Sequence, residues 1–265
     1  MERYLSGAAL YGDDFAEEEL AAWYADETEA YADLGSKDAA SYRYRYHALN
    51  AWHAFRHLPP DRHFSRALGF GSAYGEEFAP LSSRIGELTI IESSNAFVRP
   101  EVCGVPTRYL KPGPFGKLPL EDGAFDLITC FGVLHHLPNV SFVVGELARV
   151  MRVGGYLLLR EPIVSMGDWR KPRPGLTKRE RGIPIAILRE IAGRKRLELV
   201  HESLCQFPLS HRFINAAFKG YNNLAAVWLD ALCAAALRWN LRYHARTALQ
   251  KLRPSAAYLV LRKGN

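Results

Sequence analysis

A glycine-rich loop between an apolar segment and a helix-like segment is the feature that most constrains the fold of this chain. The loop reads Gly69-Phe70-Gly71-Ser72-Ala73-Tyr74-Gly75 and follows the apolar segment Arg66-Ala67-Leu68. Glycine lets the backbone approach a ligand closely, and the first turn of the following helix offers unpaired N–H groups. A strand, a glycine loop and a helix in this order predict a ligand-binding turn at the carboxyl end of a parallel strand.

Strand-like and helix-like segments alternate along the rest of the chain. Seven segments have the apolar character of strands, near residues 66–70, 87–92, 106–110, 125–130, 155–161, 197–207 and 256–262. The pattern predicts an α/β fold of the Rossmann-like kind, with a mostly parallel seven-stranded sheet covered by helices on both faces. With 265 residues and 48% hydrophobic content, the chain is long enough to bury one substantial core.

Helical segments flank this alternating region. Residues 1–62 are predicted to form a helical N-terminal extension or lid, with candidate helices at 13–34 and 38–57. The main domain is then 63–265. Within it, Pro, Gly, Arg and Lys predict a substrate loop at 163–182. A helical insertion is predicted at about 210–253, with a long helix over 222–253.

Three further segments follow the glycine loop at regular distances. Glu92 ends the second strand, where a carboxylate can accept two hydrogen bonds from a ribose diol. Leu118 to Ile128 forms a turn and a Phe-Asp-apolar strand, and Cys130 to Asn139 continues it with two adjacent histidines. Glu146 to Leu159 then forms a helix, a Gly-Gly turn and a fifth strand.

Taken in order, these segments resemble the class I S-adenosylmethionine-dependent methyltransferases over roughly residues 66–162. The resemblance implies S-adenosylmethionine as the cofactor. It also implies a set of cofactor-binding residues: Gly69, Gly71, Ser72, Gly75, Glu92, Ser93 and Phe131. Two loop positions depart from the family, because Gly69 stands where an acid is usual and Ala73 replaces the middle glycine.

The adjacent histidines lie just beyond the carboxyl end of a strand, where open α/β sheets bind ligands. A neutral imidazole there can take a proton from a hydroxyl group. In related sugar-modifying methyltransferases such a pair, with an acid after the fifth strand, has been given this role, and the resemblance extends it to His135, His136 and Glu161. A structural role for either histidine is the alternative. No metal site is predicted, since the four cysteines are scattered without CxxC spacing.

Charge is unevenly distributed and indicates an anionic partner. Residues 1–40 carry a net charge of −9, so residues 41–265 carry +15. In the substrate loop, Trp169, Arg170 and Arg173 are predicted to bind a phosphate-bearing or sugar-bearing acceptor, with a solvated loop as the alternative. The 222–253 helix, with its arginine row Arg238, Arg242 and Arg246, could contact anionic lipid or simply pack on its own domain.

These features predict O-methylation of a sugar hydroxyl on a nucleotide-linked or lipid-linked glycan, by a cytoplasmic enzyme with an optional peripheral contact at the inner membrane face. Methylation of a phenolic small molecule is a second hypothesis, and an inactive interaction module is a third. Methylation of nucleic acid ranks last, because Cys130-Phe131-Gly132-Val133 stands where an Asn-Pro-Pro-Tyr-type motif would be expected. The sequence predicts no oligomeric state.

Overall fold

The computed structural model describes residues 1–31, 42–169, 171–173 and 175–265, and an eight-stranded sheet forms its centre. The strands are β1 (Phe64–Phe70), β2 (Ile85–Ile91), β3 (Glu101–Val102), β4 (Val105–Leu110), β5 (Phe125–Phe131), β6 (Met151–Pro162), β7 (Leu197–Cys205) and β8 (Ala256–Lys263). Their order across the sheet is β3-β4-β2-β1-β5-β6-β8-β7. Five central strands are parallel, while β8 runs antiparallel between β6 and β7.

The predicted α/β Rossmann-like fold is therefore confirmed, and each of the seven predicted strands is present. The eighth strand, β3, was missed because it has only two residues. It pairs antiparallel with β4 across the turn at Cys103-Gly104, a hairpin too short to give a period-two pattern.

Helices cover both faces of the sheet. The α-helices are α1 (Glu2–Leu5), α2 (Glu17–Tyr31), α3 (His47–His53), α4 (Val140–Val150), α5 (Ile185–Arg194), α6 (Pro208–Phe218) and α7 (Leu224–Ala236). Short 3₁₀ segments lie at Phe55–His57, Glu76–Arg84, Asn95–Phe97, Pro114–Gly116, Leu134–His136, Arg238–Asn240 and Leu249–Lys251. The first N-terminal helix predicted is represented by α2. The second is represented by α3, although part of its predicted range lies outside the described residues.

The prediction of one helix over 222–253 is wrong, because α7 ends at Ala236. Asn240 is buried, and its side-chain amide donates to the carbonyls of Leu249 and Leu252 at 3.0 and 2.8 Å. These two bonds fold the chain back on itself, an interaction that helical periodicity alone does not reveal. The three predicted arginines consequently do not share one helical face.

Strand residues alternate between two apolar cores. Leu68, Ile128 and Leu157 face the side covered by α4 and α5. Their neighbours Leu127 and Leu158 face the opposite side, where α3, α6 and α7 pack. Burial on both faces explains why these strands read as nearly continuous apolar runs.

Two buried aspartates fasten the sheet to its surroundings. Asp126 of β5 accepts hydrogen bonds from the backbone N–H groups of Ser65 and Arg66 at the start of β1, at 2.8 and 3.2 Å. Asp230 of α7 is fully buried and accepts from the N–H groups of Gln206 and Phe207, which follow β7. An acid inside an apolar helix is thereby explained by backbone donors it satisfies.

The N-terminal segment packs against the domain near the carboxyl ends of the strands. Trp23 of α2 is fully buried, and its Nε1 donates to the carbonyl of His136 at 2.8 Å. Asp13 accepts from the N–H of Ser141 in the first turn of α4 at 2.7 Å. These contacts hold the segment over the turn that follows β5.

Candidate functional site

A cavity of about 460 Å³ opens where the central parallel strands end. Its lining combines part of the glycine loop with aromatic and charged side chains: Tyr42, Arg43, Tyr44, Arg45, Tyr46, Gly71, Ser72, Ala73, Glu77, Phe131 and Arg160. The position is the one at which open α/β sheets bind ligands, and the volume suits a small organic molecule.

The glycine loop passes close to the next strand end. Gly71 has a φ of +67°, and a Cβ placed on it would lie 2.6 Å from Cγ2 of Val133. Only glycine therefore fits there. Ala73 also adopts a left-handed conformation, with a φ of +47°, which is uncommon for a residue with a side chain. Both positions of the loop thus have left-handed backbone, at a glycine in one case and at an alanine in the other.

A buried carboxylate stands close to the position where the family usually has an acid. A Cβ on Gly69 would collide with Oγ of Ser72, so no side chain fits there. Instead Glu77, which follows the loop, lines the cavity and is only 3% exposed. Burial raises the pKa of Glu77 to about 7, while a hydrogen bond from Ser72 opposes the shift. Oγ1 of Thr129 lies 3.4 Å from its Oε1.

A buried guanidinium lines the same cavity. Arg160 of β6 is 9% exposed and lies over the ring of Tyr46, 4.1 Å from its centroid. Two of its hydrogen bonds are long, at 3.4 Å to the carbonyl of Phe131 and 3.5 Å to Oδ1 of Asn50, and Tyr258 is a further partner. Because such distances mark weak bonds, Arg160 keeps donor capacity for a ligand.

Glu92 follows β2 at the edge of the glycine loop. Its Oε2 accepts from the N–H of Ala73 at 3.1 Å, and its Oε1 accepts from the N–H of Ser93 at 2.9 Å. Oε1 also accepts from Oγ of Ser93 and from the N–H of Ser94, each at 3.3 Å, so Oε2 is the oxygen that can accept a further hydrogen bond from a ribose hydroxyl. The predicted residues of the loop, of Glu92-Ser93 and of Phe131 thus lie at neighbouring strand ends.

A strap formed by residues 42–46 covers the cavity. Its sequence alternates tyrosine and arginine, and the tyrosines are half-buried while Arg43 and Arg45 are exposed. The turn between α6 and α7 fastens it, since the N–H of Tyr221 donates to the carbonyl of Arg45 at 2.6 Å and Nδ2 of Asn222 donates to the carbonyl of Tyr44 at 2.7 Å. The helical insertion thereby positions the strap.

The proposed catalytic histidines do not line this cavity. His135 is 8% exposed and is held between two carboxylates, with Nδ1 2.8 Å from Glu161 and Nε2 3.5 Å from Glu180. Burial opposes a charge on this ring, but the bonds to both acids dominate and raise the pKa of His135 to about 9. Because both ring nitrogens are directed at carboxylates and the ring does not line the cavity, His135 is not positioned to take a proton from a ligand bound there.

Glu161 is also unavailable for proton transfer with an acceptor. It is fully buried and accepts hydrogen bonds of 2.9 Å from the N–H groups of Val133 and Leu134, in addition to the ring of His135. Burial alone would raise its pKa, but the His135 ring and these donors lower it. Glu161 therefore shapes the turn after β5.

His136 keeps a partly exposed ring, 3.4 Å from Oε2 of Glu27.

The substrate loop does not present its predicted residues to an acceptor. Trp169 is 9% exposed and stacks on Tyr11 with ring centroids 5.1 Å apart. The guanidinium of Arg173 donates to the carbonyls of Thr177 and Glu180 within its own loop. Both side chains therefore stabilise the loop instead of facing a ligand. Arg170 lies outside the described residues.

Sequence reasoning missed the two buried charges and the strap. Arg160 directly precedes the predicted residue Glu161, and Glu77 lies two residues after the predicted Gly75. Side-chain direction decides which of several neighbouring residues faces the cavity. The Tyr-Arg-Tyr-Arg-Tyr alternation of residues 42–46 was a usable signal, because period two indicates an extended segment with two different faces.

Comparison with known proteins agrees with this geometry. Residues 68–159 match the family model described as a methyltransferase domain. A protein of Mycolicibacterium smegmatis named as a probable S-adenosylmethionine-dependent methyltransferase is 34% identical over 95 residues, which are 36% of this chain and 36% of that protein. The matched region spans between 30% and 39% of the length of the curated relatives.

Two solved structures resemble this chain over most of its length, although their sequence identity to it is low. YcgJ of Bacillus subtilis superposes with a TM-score of 0.51 and 19% identity, over 83% of this chain and 99% of that one. The [4+2]-cyclase SpnF gives a TM-score of 0.54 with 16% identity, over 91% and 94%. Since a cyclase is among the structural neighbours, the activity must be argued from the site rather than from the fold.

Proposed function

We propose that this chain, whose residues 68–159 match the methyltransferase-domain family model, binds S-adenosylmethionine in the strand-end cavity and methylates an acceptor oxygen. Gly71, Ala73 and Glu92 would hold the nucleoside part. When bound, the cofactor would supply an electrophilic methyl group. The chain's own residues bind both reactants, orient them and exclude water, which accounts for much of the rate in reactions of this kind.

One observation carries the proposal: a buried acid and a buried base line one cavity beside the glycine loop. The amino-acid end of S-adenosylmethionine carries an ammonium and a carboxylate. Glu77 is suited to accept from the ammonium, and Arg160 to donate to the carboxylate. Burial disfavours the charged form of both side chains, so ligand groups of complementary charge would stabilise them.

The acceptor is proposed to be a sugar on an anionic carrier, either nucleotide-linked or lipid-linked. The strap of residues 42–46 supports this proposal, because half-buried tyrosine rings can pack on a sugar face and exposed arginines can bind phosphate. The predicted substrate loop does not support this proposal, because Trp169 and Arg173 make their contacts within the protein. A phenolic acceptor is the competing hypothesis, since aromatic rings stack on phenols equally well.

Peripheral contact with a membrane is proposed for the surface of α6 and α7. Trp228 and Leu232 of α7 are 54% and 69% exposed, and Leu209 and Phe213 of α6, a helix that contacts α7, are also exposed. Apolar side chains of this size on adjacent helices suit the interfacial region of a bilayer. None of the described helices is long and apolar enough to cross a membrane.

Calorimetry and a transfer assay test the proposal. We expect the purified chain to bind S-adenosylmethionine and S-adenosylhomocysteine, and to transfer a labelled methyl group to members of a panel of sugar nucleotides and lipid-linked sugars. Lack of binding under several buffer conditions would favour the interaction module. Methylation of a neutral phenol with no turnover of any sugar acceptor would contradict the glycan assignment while leaving the methyltransferase assignment intact.

A further inference from the structure

Four side chains from distant parts of the sequence converge beside the turn that follows β5. They are His135 and His136 of that turn, Glu180 of the 163–182 loop and Glu27 of α2. One potential ligand atom from each of His135, His136 and Glu180 lies within 4.8 Å of the other two. Glu27 lies next to this group of three, with its Oε2 3.4 Å from Nδ1 of His136.

Glu27 is buried, and one of its two carboxylate oxygens is unsatisfied. The side chain is only 7% exposed, and no described residue gives its Oε2 a hydrogen bond, although Nδ1 of His136 lies 3.4 Å away. Leaving a buried carboxylate oxygen unsatisfied is costly. This oxygen is directed into the cluster, so it points to a bound group that completes its coordination.

Surrounding residues fix the orientation of these four side chains. Nδ1 of His135 is held by Glu161 at 2.8 Å, which leaves Nε2 directed at Glu180. Thr177 fixes both acids, since its N–H donates to Oε2 of Glu180 at 3.0 Å and its hydroxyl donates to Oε1 of Glu27 at 2.7 Å. One oxygen of each acid is thereby occupied, and the other faces the histidines. Outer hydrogen bonds of this kind orient the ligands in metal sites.

We propose that His135, His136, Glu180 and Glu27 bind one divalent transition-metal ion of the Zn²⁺ type. Two imidazoles with carboxylates form a donor set typical of zinc and its first-row neighbours. Donor atoms around tetrahedral zinc lie about 3.3 Å apart, so the cluster has to contract by up to about 1.5 Å on binding. Binding also requires Nε2 of His135 to be unprotonated.

The metal ion joins three parts of the molecule that are distant in sequence. It fastens α2 and the 163–182 loop to the turn after β5, which itself packs on the glycine loop through Val133. The absence of a metal-ligand spacing in the sequence is therefore no contradiction. The ligands come from separate segments, and only folding brings them together.

Titration of the metal-free protein with Co²⁺, monitored by its visible absorption, tests the site without any cofactor or acceptor. We expect one equivalent to bind, with the intense bands of a low-coordinate site, and Zn²⁺ to displace it. His136→Gln and Glu180→Gln should each weaken binding at least tenfold. Thr177→Val, which removes a positioning bond only, should weaken it by roughly 10-fold to 100-fold.

Control variants distinguish this site from adventitious binding. His63→Gln removes an exposed imidazole, and Glu190→Gln removes an exposed acid paired with Arg194 on α5, so neither should change the Co²⁺ affinity. Thermal unfolding of each variant without metal verifies folding, and Zn²⁺ should raise Tm in the wild type but not in Glu180→Gln. Equal Co²⁺ affinity in wild type, His136→Gln and Glu180→Gln, or no binding by the wild type, would overturn the proposal and leave a cluster of ion pairs. S-adenosylmethionine binding is measured in a separate experiment, so the outcome of the metal titration neither supports nor contradicts the proposed function.

Discussion

Glu161 holds the ring of His135 through a hydrogen bond of 2.8 Å between two groups that are almost completely excluded from solvent. Backbone N–H groups of the turn after β5 bond to the same carboxylate. The pair predicted to supply a catalytic base therefore acts as a fixed support for the turn that packs against Gly71. A support of this kind has consequences for stability that can be measured.

Replacing Glu161 with Gln should destabilise the fold by about 3–5 kcal/mol, because it leaves an imidazolium buried with one partner fewer. Urea unfolding in the presence of a chelator measures the loss without any contribution from metal. Glu190→Gln removes an exposed ion pair and should cost less than about 1 kcal/mol. A loss for Glu161→Gln no larger than that of the control would contradict the structural role.

Replacing Glu92 with Ala should weaken binding of S-adenosylhomocysteine by about 1.5–3 kcal/mol, the value of a hydrogen bond to a charged group. Binding of 5′-methylthioadenosine should weaken equally, since that compound keeps the ribose. Isothermal titration calorimetry measures both. Glu87→Ala, an exposed acid on the same strand, is the matched control and should leave both affinities unchanged.

Arg160→Met and Glu77→Gln, in contrast, should weaken the binding of only one of these two ligands. Both should weaken binding of S-adenosylhomocysteine roughly tenfold or more, because they remove partners of its carboxylate and ammonium. Neither should affect 5′-methylthioadenosine, which lacks the amino-acid end. Calorimetry with the two ligands separates the cases, and parallel losses of both affinities would show that the variants had merely disturbed the cavity.

Glu77 should also make stability depend on pH. Its pKa is about 7 in the folded chain and near 4.5 when unfolded. Below about pH 4.5 both states hold the proton, and the contribution of Glu77 to stability is complete. As pH rises through 7 the unfolded state ionises first, so the free energy of unfolding falls by up to about 3 kcal/mol.

Urea unfolding at several pH values between about 5 and 8 measures this effect as a difference between wild type and Glu77→Gln. The variant should lack the decline, whereas Glu190→Gln should retain it. Identical pH profiles for wild type and Glu77→Gln would mean that Glu77 is not held protonated by burial.

The double variant Trp228→Ser, Leu232→Ser should reduce sedimentation with anionic vesicles on the order of tenfold, because it removes large apolar side chains from the exposed face of α7. Leu249→Ser is the control, since that leucine is also exposed but lies beyond α7. Recovery of the wild type in the supernatant at low salt would leave this face without a membrane role.

The sequence by itself determined the sheet and the location of the candidate site. Apolar runs marked the seven longer strands, because parallel strands buried on both faces carry apolar residues throughout. The glycine loop indicated where the cavity lies. Gly71 adopts a left-handed φ beside Val133, and glycine is the residue that allows this conformation. Both features lie within short stretches of consecutive residues, so they can be recognised from the sequence alone.

Only the tertiary structure decided which side chains face the site. Glu77 and Arg160 enter the cavity, whereas Trp169 and Arg173 bind within the protein, and residue type alone does not separate these outcomes. The cluster around His135 depends on contacts between residues more than 100 positions apart. Long-range packing determines side-chain direction and burial, and these in turn determine the charge and the partners of each group.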